Sequence, residues 1–385
     1  MRTILSKWSR VAGLAVMLVA AWSAQGAERD CKERRQSEIR HSLDMAVRTA
    51  PVAVPNADGA SLRYELGLTN FSWEPLTLTR LEVLDARTQA VIHQAAGEKL
   101  AASIGPYLGA PRTSPELIKP GQTVIVYLDI ALPGAAPAAV RHRVHLSADV
   151  GGQQQPYWIE AASTQVDASP LPVLGPPLKG GPWVAVYDPQ MERGHRRTVF
   201  TLNGTQRIPG RYAIDWMLAA PASGRPPKLG GGAEVLAVAD AKVAAVHDGV
   251  PEPAPGTDPR RTPFSGAPGN FIVLDLGNGK FATYEHLSPG LLVKPGDPVR
   301  RGQLIARIGT TGHAVHPHLH FHLGDSADPL LADGLPFLVD GMKTAGVYDT
   351  LGMAVSGGAW REVPAAPVRA TFPAANSVVH FPADD

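Results

Sequence analysis

The stretch GNFIVLDLGNGKFATYEHL, residues 269–287, gives the clearest indication of the fold. Two runs that alternate apolar and polar residues flank Asn278-Gly279, and this dipeptide is typical of the tight turn of a β-hairpin, which requires positive φ. A half-buried strand shows such alternation because successive side chains point to opposite faces of the sheet. The stretch therefore predicts two antiparallel strands, with His286 where the second strand meets its loop.

Similar alternating runs occur along most of the chain and predict an all-β protein. Segments such as LRYELGLTNF (62–71) and TVIVYLDIAL (123–132) alternate with period two, and turn signals separate them. They predict an N-terminal β-sandwich of immunoglobulin-like type over residues 45–167. Because no chemistry-bearing residues cluster there, we expect this domain to be a spacer or a binding module, through which a protein partner can bind.

The length of 385 residues favours two domains. Residues 168–182 are rich in proline and glycine and are interpreted as a linker. A second, antiparallel β-domain is predicted over residues 183–340. A charged N-terminal segment, residues 27–44, precedes the sandwich, and residues 341–385 are assigned to a C-terminal extension.

The N-terminus has the pattern of a secretory signal peptide, assigned to residues 1–26. An apolar run, residues 11–22, follows the three cations Arg2, Lys7 and Arg10. This run is too short to span a bilayer comfortably. Removal of these three cations takes the formal net charge from +1 to −2. The sequence therefore predicts an exported protein, periplasmic or extracellular, with no membrane span after processing and no affinity for nucleic acid.

The stretch HAVHPHLHFHLGD, residues 313–325, is unusually rich in imidazole groups. Four histidines stand at every second position from His316 to His322, so in a strand they share one face at intervals of about 6.6–7 Å. The apolar residues between them alternate as a core face. At most two or three of these imidazoles can meet at one centre, and the alternative interpretation is a solvated polar strand face.

A zinc site needs ligands from more than one strand. Cys31 is the only cysteine, which leaves histidine and carboxylate side chains as the candidates. Asp215 in RYAIDWML lies among apolar residues, where an unpaired carboxylate is costly. Taken alone, Asp215 is more simply interpreted as a salt-bridge partner and His286 as a core histidine. Together with the histidine stretch, the two residues favour a metal site.

Several motifs resemble the lysostaphin/LytM-type zinc metallopeptidases, which cut peptidoglycan cross-links. HLHF, YEHL, AIDW and VKPGDPVRRGQLIARIGTTG occur in the order and approximate spacing of that family, within residues 181–338. The resemblance implies a small antiparallel β-domain with a groove and a bound zinc ion. By position, it assigns Asp215 and His320 as zinc ligands, and His286 and His318 as catalytic histidines.

The sequence departs from this family at one ligand position. The family's first ligand is a histidine four residues before the aspartate, and Arg211 occupies that place here. A guanidinium stays protonated and has no lone pair to donate, so Arg211 cannot bind zinc, and a cation there opposes the metal. His195, in ERGHRRTVF, is the best candidate to restore the third ligand.

Two functions are consistent with these residues. The favoured one is a zinc endopeptidase that hydrolyses the peptide cross-links of peptidoglycan, with histidines that transfer protons. The alternative is a catalytically inactive protein of the same fold that binds peptidoglycan or regulates another wall hydrolase. A cupin-type oxidoreductase also carries His-x-His on a strand, but the nearest acid after the pair is Asp325 rather than the glutamate usual in cupins.

Overall fold

The structure, a computed structural model, describes residues 42–56, 59–105, 114–187, 194–220, 231–254, 257–258, 263–364 and 370–383. The predicted signal peptide and Cys31 lie outside these ranges. Within the ranges, no helix combines the length and the apolar character that a membrane crossing requires.

The first half of the described chain forms two sheets that share one hydrophobic core. Its elements are β1 (Leu43–Val47), β2 (Val52–Asn56), β3 (Gly59–Asn70), β4 (Leu76–Asp85), β5 (Val91–Ala96), α1 (Gly97–Ser103), β6 (Ile104–Gly105), β7 (Leu117–Ile118), β8 (Thr123–Leu132), β9 (Ala139–Val150) and β10 (Gln153–Gln165). One sheet has the order β1-β3-β8-β6 with β2 beside β3, and the other has the order β10-β9-β4-β5 with β7 beside β4.

The alternation along β3 shows how the sequence builds this sandwich. Leu62, Tyr64 and Leu66 point into the shared core and are at most 1 % exposed. Glu65 points to the opposite face, where a sandwich normally meets water, yet it is also buried. The immunoglobulin-like type of this sandwich stays a prediction.

The outer face of β3 and β8 is buried because the second half of the chain packs on it. Ile125 and Tyr127 of β8 form a small apolar cluster with Val199 and Ile208. The two halves of the molecule therefore meet through a face of the sandwich that its own core does not use.

The second half of the described chain forms one large sheet and several short strand pairs. Its strands are β11 (Val173–Leu174), β12 (Trp183–Val186), β13 (Phe200–Leu202), β14 (Thr205–Arg207), β15 (Ile214–Leu218), β16 (Glu234–Leu236), β17 (Ala241–His247), β18 (Asn270–Asp275), β19 (Phe281–Leu287), β20 (Pro298–Val299), β21 (Leu304–Arg307), β22 (Leu319–Gly324), β23 (Gly334–Leu335), β24 (Leu338–Val339), β25 (Lys343–Val347), β26 (Arg361–Glu362) and β27 (Ser377–His380). Its helices are α2 (Leu351–Val355) and three 3-10 turns, His195–Arg197, Pro209–Tyr212 and Phe264–Gly266.

The large sheet has the order β20-β17-β18-β19-β22-β15-β12-β27-β25-β26, with β23 beside β22. The hairpin predicted at Asn278-Gly279 is formed by β18 and β19, which pair antiparallel, and both turn residues have positive φ (53° and 67°). The prediction of an all-β protein built from antiparallel sheets is confirmed.

Two segments that the sequence analysis placed outside the second domain contribute strands to its sheets. β27, in the predicted C-terminal extension, pairs with β12 and β25 of the large sheet. β11, in the predicted linker, pairs with β24. The sheet that carries the candidate site therefore depends on residues well beyond 340.

Candidate metal centre

Three neighbouring strands of the large sheet bring the candidate ligands into register. β22 lies between β15 and β19, and His320 on β22 is directly opposite Asp215 on one side and Glu285 on the other. Directly opposed residues point to the same face of a sheet. Leu319 and Phe321, which flank His320 on β22, belong to the hydrophobic core on the other face, as the alternation in the sequence predicts.

The centre of the site is the carboxylate of Asp215. Its Oδ2 lies 2.8 Å from Nε2 of His195, and its Oδ1 lies 2.8 Å from Nδ1 of His320. Nε2 of His318 is 3.5 Å from the same Oδ1. One ligand atom from each of His195, Asp215 and His320 can be chosen so that all three lie within 4.8 Å of one another. The structure therefore brings together the three residues that the sequence proposed as metal ligands.

His195 reaches Asp215 from a 3-10 turn that packs closely against a second turn, Pro209–Tyr212. The contact is made at Gly210, where an added Cβ would lie 2.6 Å from the Cβ of His195 and 2.8 Å from its carbonyl oxygen. A side chain at residue 210 would therefore displace His195. Glycine is needed here for close approach of two backbone segments.

Arg211 does not enter the site. Its Nε donates to Oε2 of Glu65 at 2.8 Å, and its Nη1 pairs with Oδ2 of Asp333 at 2.9 Å. Its side chain is only 5 % exposed, so these carboxylates supply the compensation that a buried cation requires. The expectation that a cation at residue 211 opposes the metal is therefore corrected, because the charge of Arg211 is paired with Glu65 and Asp333, neither of which belongs to the candidate metal ligands.

Burial alone would raise the pKa of Asp215, but the neighbouring His195 and His318 hold that pKa well below its usual range. Asp215 is thus an anion at neutral pH. Burial acts on His320 to lower its pKa, yet the charges of Glu285 and Asp215 and the hydrogen bond to Asp215 together raise it. The cluster accordingly favours a positive charge beside Asp215, which is the charge that a metal ion brings.

His286 and His318 lie side by side, with ring centroids 4.7 Å apart. Nδ1 of His286 is 2.9 Å from the carbonyl oxygen of Thr311, and Nδ1 of His318 is 2.8 Å from that of His316. A carbonyl only accepts hydrogen bonds, so each Nδ1 carries the proton and each neutral ring leaves Nε2 as an acceptor. Burial lowers the pKa of both rings, which keeps them neutral.

Two further residues at the site were not assigned from the sequence. His322 is buried, and its Nδ1 lies 3.2 Å from Nε2 of His320 and 3.9 Å from Oε1 of Glu285. Glu285, His320 and His322 form a second group with ligand atoms within 4.8 Å of one another. The spacing of two residues between His320 and His322 indicates that both point to the same face of the strand. The sequence contains no comparable signal for Glu285, apart from its place next to His286.

An open cleft with an empty volume of about 680 Å³ gives access to these residues. Its polar lining includes His195, Glu285, His286 and His320, and apolar residues such as Phe264 line other parts of it. A cleft of this kind admits an extended ligand to the imidazole cluster, as the predicted groove requires.

Residues 228–330 match the sequence model of the family described as Peptidase family M23. This part of the chain is similar to the M23 peptidases. This confirms the resemblance to lysostaphin/LytM-type enzymes that the motifs indicated. The match includes His286, His318 and His320, but it begins after Asp215 and His195.

Relatives of the M23 domain share only part of their length with this chain. A protein named "Uncharacterized metalloprotease" from Haemophilus influenzae is 37 % identical over 105 residues, which are 26 % of this chain and 22 % of that protein. "Peptidoglycan DD-endopeptidase ShyA" from Vibrio cholerae is 44 % identical over 64 residues, which are 17 % of this chain and 14 % of that protein. The chain thus spans less than a quarter of the length of either relative.

Among solved structures, the catalytic domain of the antimicrobial peptidase lysostaphin from Staphylococcus simulans aligns with a TM-score of 0.23 and 23 % sequence identity. The alignment covers 41 % of this chain and 88 % of that domain.

Proposed function

We propose that the protein is an exported zinc endopeptidase that hydrolyses peptide cross-links of cell-wall peptidoglycan. The observation that carries the proposal is the carboxylate of Asp215, which lies 2.8 Å from one imidazole nitrogen of His195 and 2.8 Å from one of His320. The M23 match and the relatives named peptidoglycan DD-endopeptidases support the substrate class. Action on the cell wall requires export, in agreement with the signal peptide that the sequence predicts.

The donor set fits zinc. Two imidazoles and one carboxylate from three separate segments form a three-ligand set of the kind found in catalytic zinc sites, which keep a further position open. His195 is the most accessible of the three side chains, at 37 % exposed, and it lies on the cleft. We therefore assign Asp215, His320 and His195 as the metal ligands, with His195 in place of the ligand that Arg211 cannot provide.

When bound, zinc supplies a water of lowered pKa and polarises the carbonyl of the bond to be cut. His318 lies nearest to Asp215 of the two remaining histidines, and its neutral ring presents Nε2 as an acceptor. We assign to His318 the removal of the water proton and its return to the leaving amine. His286 can steady the developing oxyanion only after its own Nε2 has gained a proton, because its Nδ1 proton is held by Thr311.

The proposal is tested with purified mature protein by elemental analysis and by release of muropeptides from isolated sacculi. We expect one zinc per chain and release that a chelator stops. Protein that binds no zinc and releases nothing would support the alternative, an inactive wall-binding or regulatory protein.

Substitution of His318 separates metal binding from chemistry. His318→Ala is expected to keep its zinc and to lose activity by about 10²- to 10⁴-fold, the contribution usual for a general base. His316→Ala is the matched control, because His316 accepts the hydrogen bond of His318 through its backbone carbonyl, which the substitution keeps. Equal loss of activity in both variants would remove His318 from the proposed mechanism.

A further inference from the structure

We infer that the N-terminal sandwich is part of the metal centre, because Glu65 on β3 positions His195 through the adjacent Arg196. The inference rests on the proposed role of His195 as a ligand. It gives the sandwich a function that neither a spacer nor a binding module would have.

Arg196 is anchored entirely in the sandwich. Its Nε donates to Oε1 of Glu65 at 2.8 Å, and its Nη2 donates to the carbonyl oxygens of Tyr64 and Leu128 at 2.7 Å each. The side chain is 3 % exposed. Three hydrogen bonds from one buried guanidinium to two strands define the position of the backbone at residue 196 and therefore that of His195 next to it.

Glu65 also holds the segment that leads to Asp215. Its second oxygen accepts the hydrogen bond of Arg211, which lies four residues before Asp215 and directly follows Gly210. One carboxylate of the sandwich thus fixes both turns that meet at Gly210. The distance between His195 and Asp215 depends on this common anchor.

The turn that carries His195 has little support of its own. It is a 3-10 turn of three residues without a side-chain cap at its N-terminus. Its other anchor is Arg197, which donates to the carbonyl oxygen of Ala102 and lies over the ring of Tyr127 with the guanidinium carbon 4.9 Å from the ring centroid. The side chains of Arg196 and Arg197 thus bind the turn to the sandwich, whereas His195 contacts the second half of the chain.

The test compares Glu65→Gln with Glu82→Gln in the full mature chain. Glu82 is the matched control, since its side chain is likewise 8 % exposed and pairs with two arginines, Arg80 and Arg143, but within the sandwich. Zinc affinity is measured by competition with a chromophoric chelator. We expect Glu65→Gln to lose about 10- to 100-fold in affinity, as changes in groups that support a ligand do, and Glu82→Gln to stay within about twofold of wild type.

Urea unfolding of the metal-free variants shows whether both are folded and how far each is destabilised. If Glu65→Gln does not fold, Arg196→Lys keeps the cation and removes the forked hydrogen bonds, and the same loss of affinity is expected. Equal zinc affinity in the Glu65 and Glu82 variants would overturn the inference.

A readout without metal separates this inference from the proposed function. Histidine ring resonances of the metal-free protein, with that of His195 assigned from the His195→Ala spectrum, are expected to shift in Glu65→Gln and to remain in place in Glu82→Gln. If wild type binds no zinc, the proposed function fails, and these resonances still decide the positioning. If wild type binds zinc but its affinity does not respond to Glu65→Gln, only the inference fails.

Discussion

Two carboxylates, Glu65 in the sandwich and Asp215 in the large sheet, have the same pattern of contacts and different partners. Each oxygen of Glu65 accepts one hydrogen bond of 2.8 Å from a guanidinium, one from Arg196 and one from Arg211. Each oxygen of Asp215 lies 2.8 Å from one imidazole nitrogen. The difference between the two clusters therefore lies in the chemistry of the partners and in their access to solvent.

Guanidinium and imidazole differ in what they can release. Arginine stays protonated in proteins, so the Glu65 cluster is permanently complete and can only hold structure. A histidine next to Asp215 can give up the proton that faces the carboxylate, and the lone pair that this frees can bind a metal ion. Arg211 therefore occupies the place of a family ligand without binding the metal. Residue 211 belongs to the Glu65 cluster, and His195 supplies an imidazole from another segment.

The largest effect is expected when Asp215 loses its charge. Asp215→Asn removes the anionic oxygen ligand and the charge that balances the metal, so zinc affinity should fall by more than about 100-fold, beyond the cost of altering a supporting group. Asp129→Asn is the control, because that side chain is equally buried (16 % against 17 % exposed) and pairs with Arg63 instead. Isothermal titration with zinc makes the comparison. Wild-type affinity in Asp215→Asn would contradict the assignment of the centre.

The next largest effect is expected at Arg211. Arg211→His restores the residue type of the family but removes a buried partner of Glu65 and Asp333, so the free energy of unfolding should fall by about 3–5 kcal/mol. Zinc affinity should not increase, because the side chain at residue 211 lies next to Glu65 and Asp333 and has no contact with Asp215 among those described. Urea unfolding and zinc titration measure the two quantities. Tighter zinc binding would mean that residue 211 still faces the metal.

A smaller loss than that of Asp215→Asn is expected for His195→Ala, because it removes a neutral ligand and leaves the anionic one. Zinc affinity should fall by at least the about 10- to 100-fold that loss of a supporting group costs. His145→Ala is the matched control, since Nε2 of His145 lies 3.5 Å from a carboxylate oxygen of Glu82 in a cluster that also contains arginine. If both variants bind zinc as wild type does, a different residue completes the ligand set.

The sequence alone predicted those parts of the structure that local signals determine. The hairpin at Asn278-Gly279 followed from alternation and turn chemistry, both of which act within a few residues. Asp215, His318 and His320 were recognisable from the alternation of the histidine stretch and from the motifs of the family that the sequence resembles. Asp215 and His320 lie on adjacent strands, and His318 directly precedes β22. Their positions in the structure agree with those expectations, and their roles remain proposals.

The sequence was insufficient where contacts between distant residues decide the structure. His195 was only a candidate, because its position depends on Arg196 and Glu65, which are 131 residues apart. The strand β27 was missed since it is short and pairs with β12, far away in the chain. No local pattern encodes such pairings.

Glu285 was missed for a different reason. Strict alternation would send Glu285 and His286 to opposite faces, yet both line the cleft. His286 has a φ of 63°, in the left-handed region that non-glycine residues rarely adopt, and the register between β18 and β19 shifts nearby. Backbone strain of this kind is common at functional sites and is invisible to periodicity.

The smallest effect is expected for Glu285→Gln, which tests the second cluster around His320. Burial raises the pKa of Glu285, which makes it a weaker partner for a cation than Asp215, whose pKa His195 and His318 hold well below its usual range. Oε1 of Glu285 is also 3.9 Å from His322, too far for a hydrogen bond that would hold it in place. Zinc affinity in Glu285→Gln should therefore change by less than the about 10-fold that a supporting partner costs. A loss as large as that of Asp215→Asn would place the metal on the opposite side of His320 and would make Glu285, rather than Asp215, the carboxylate ligand.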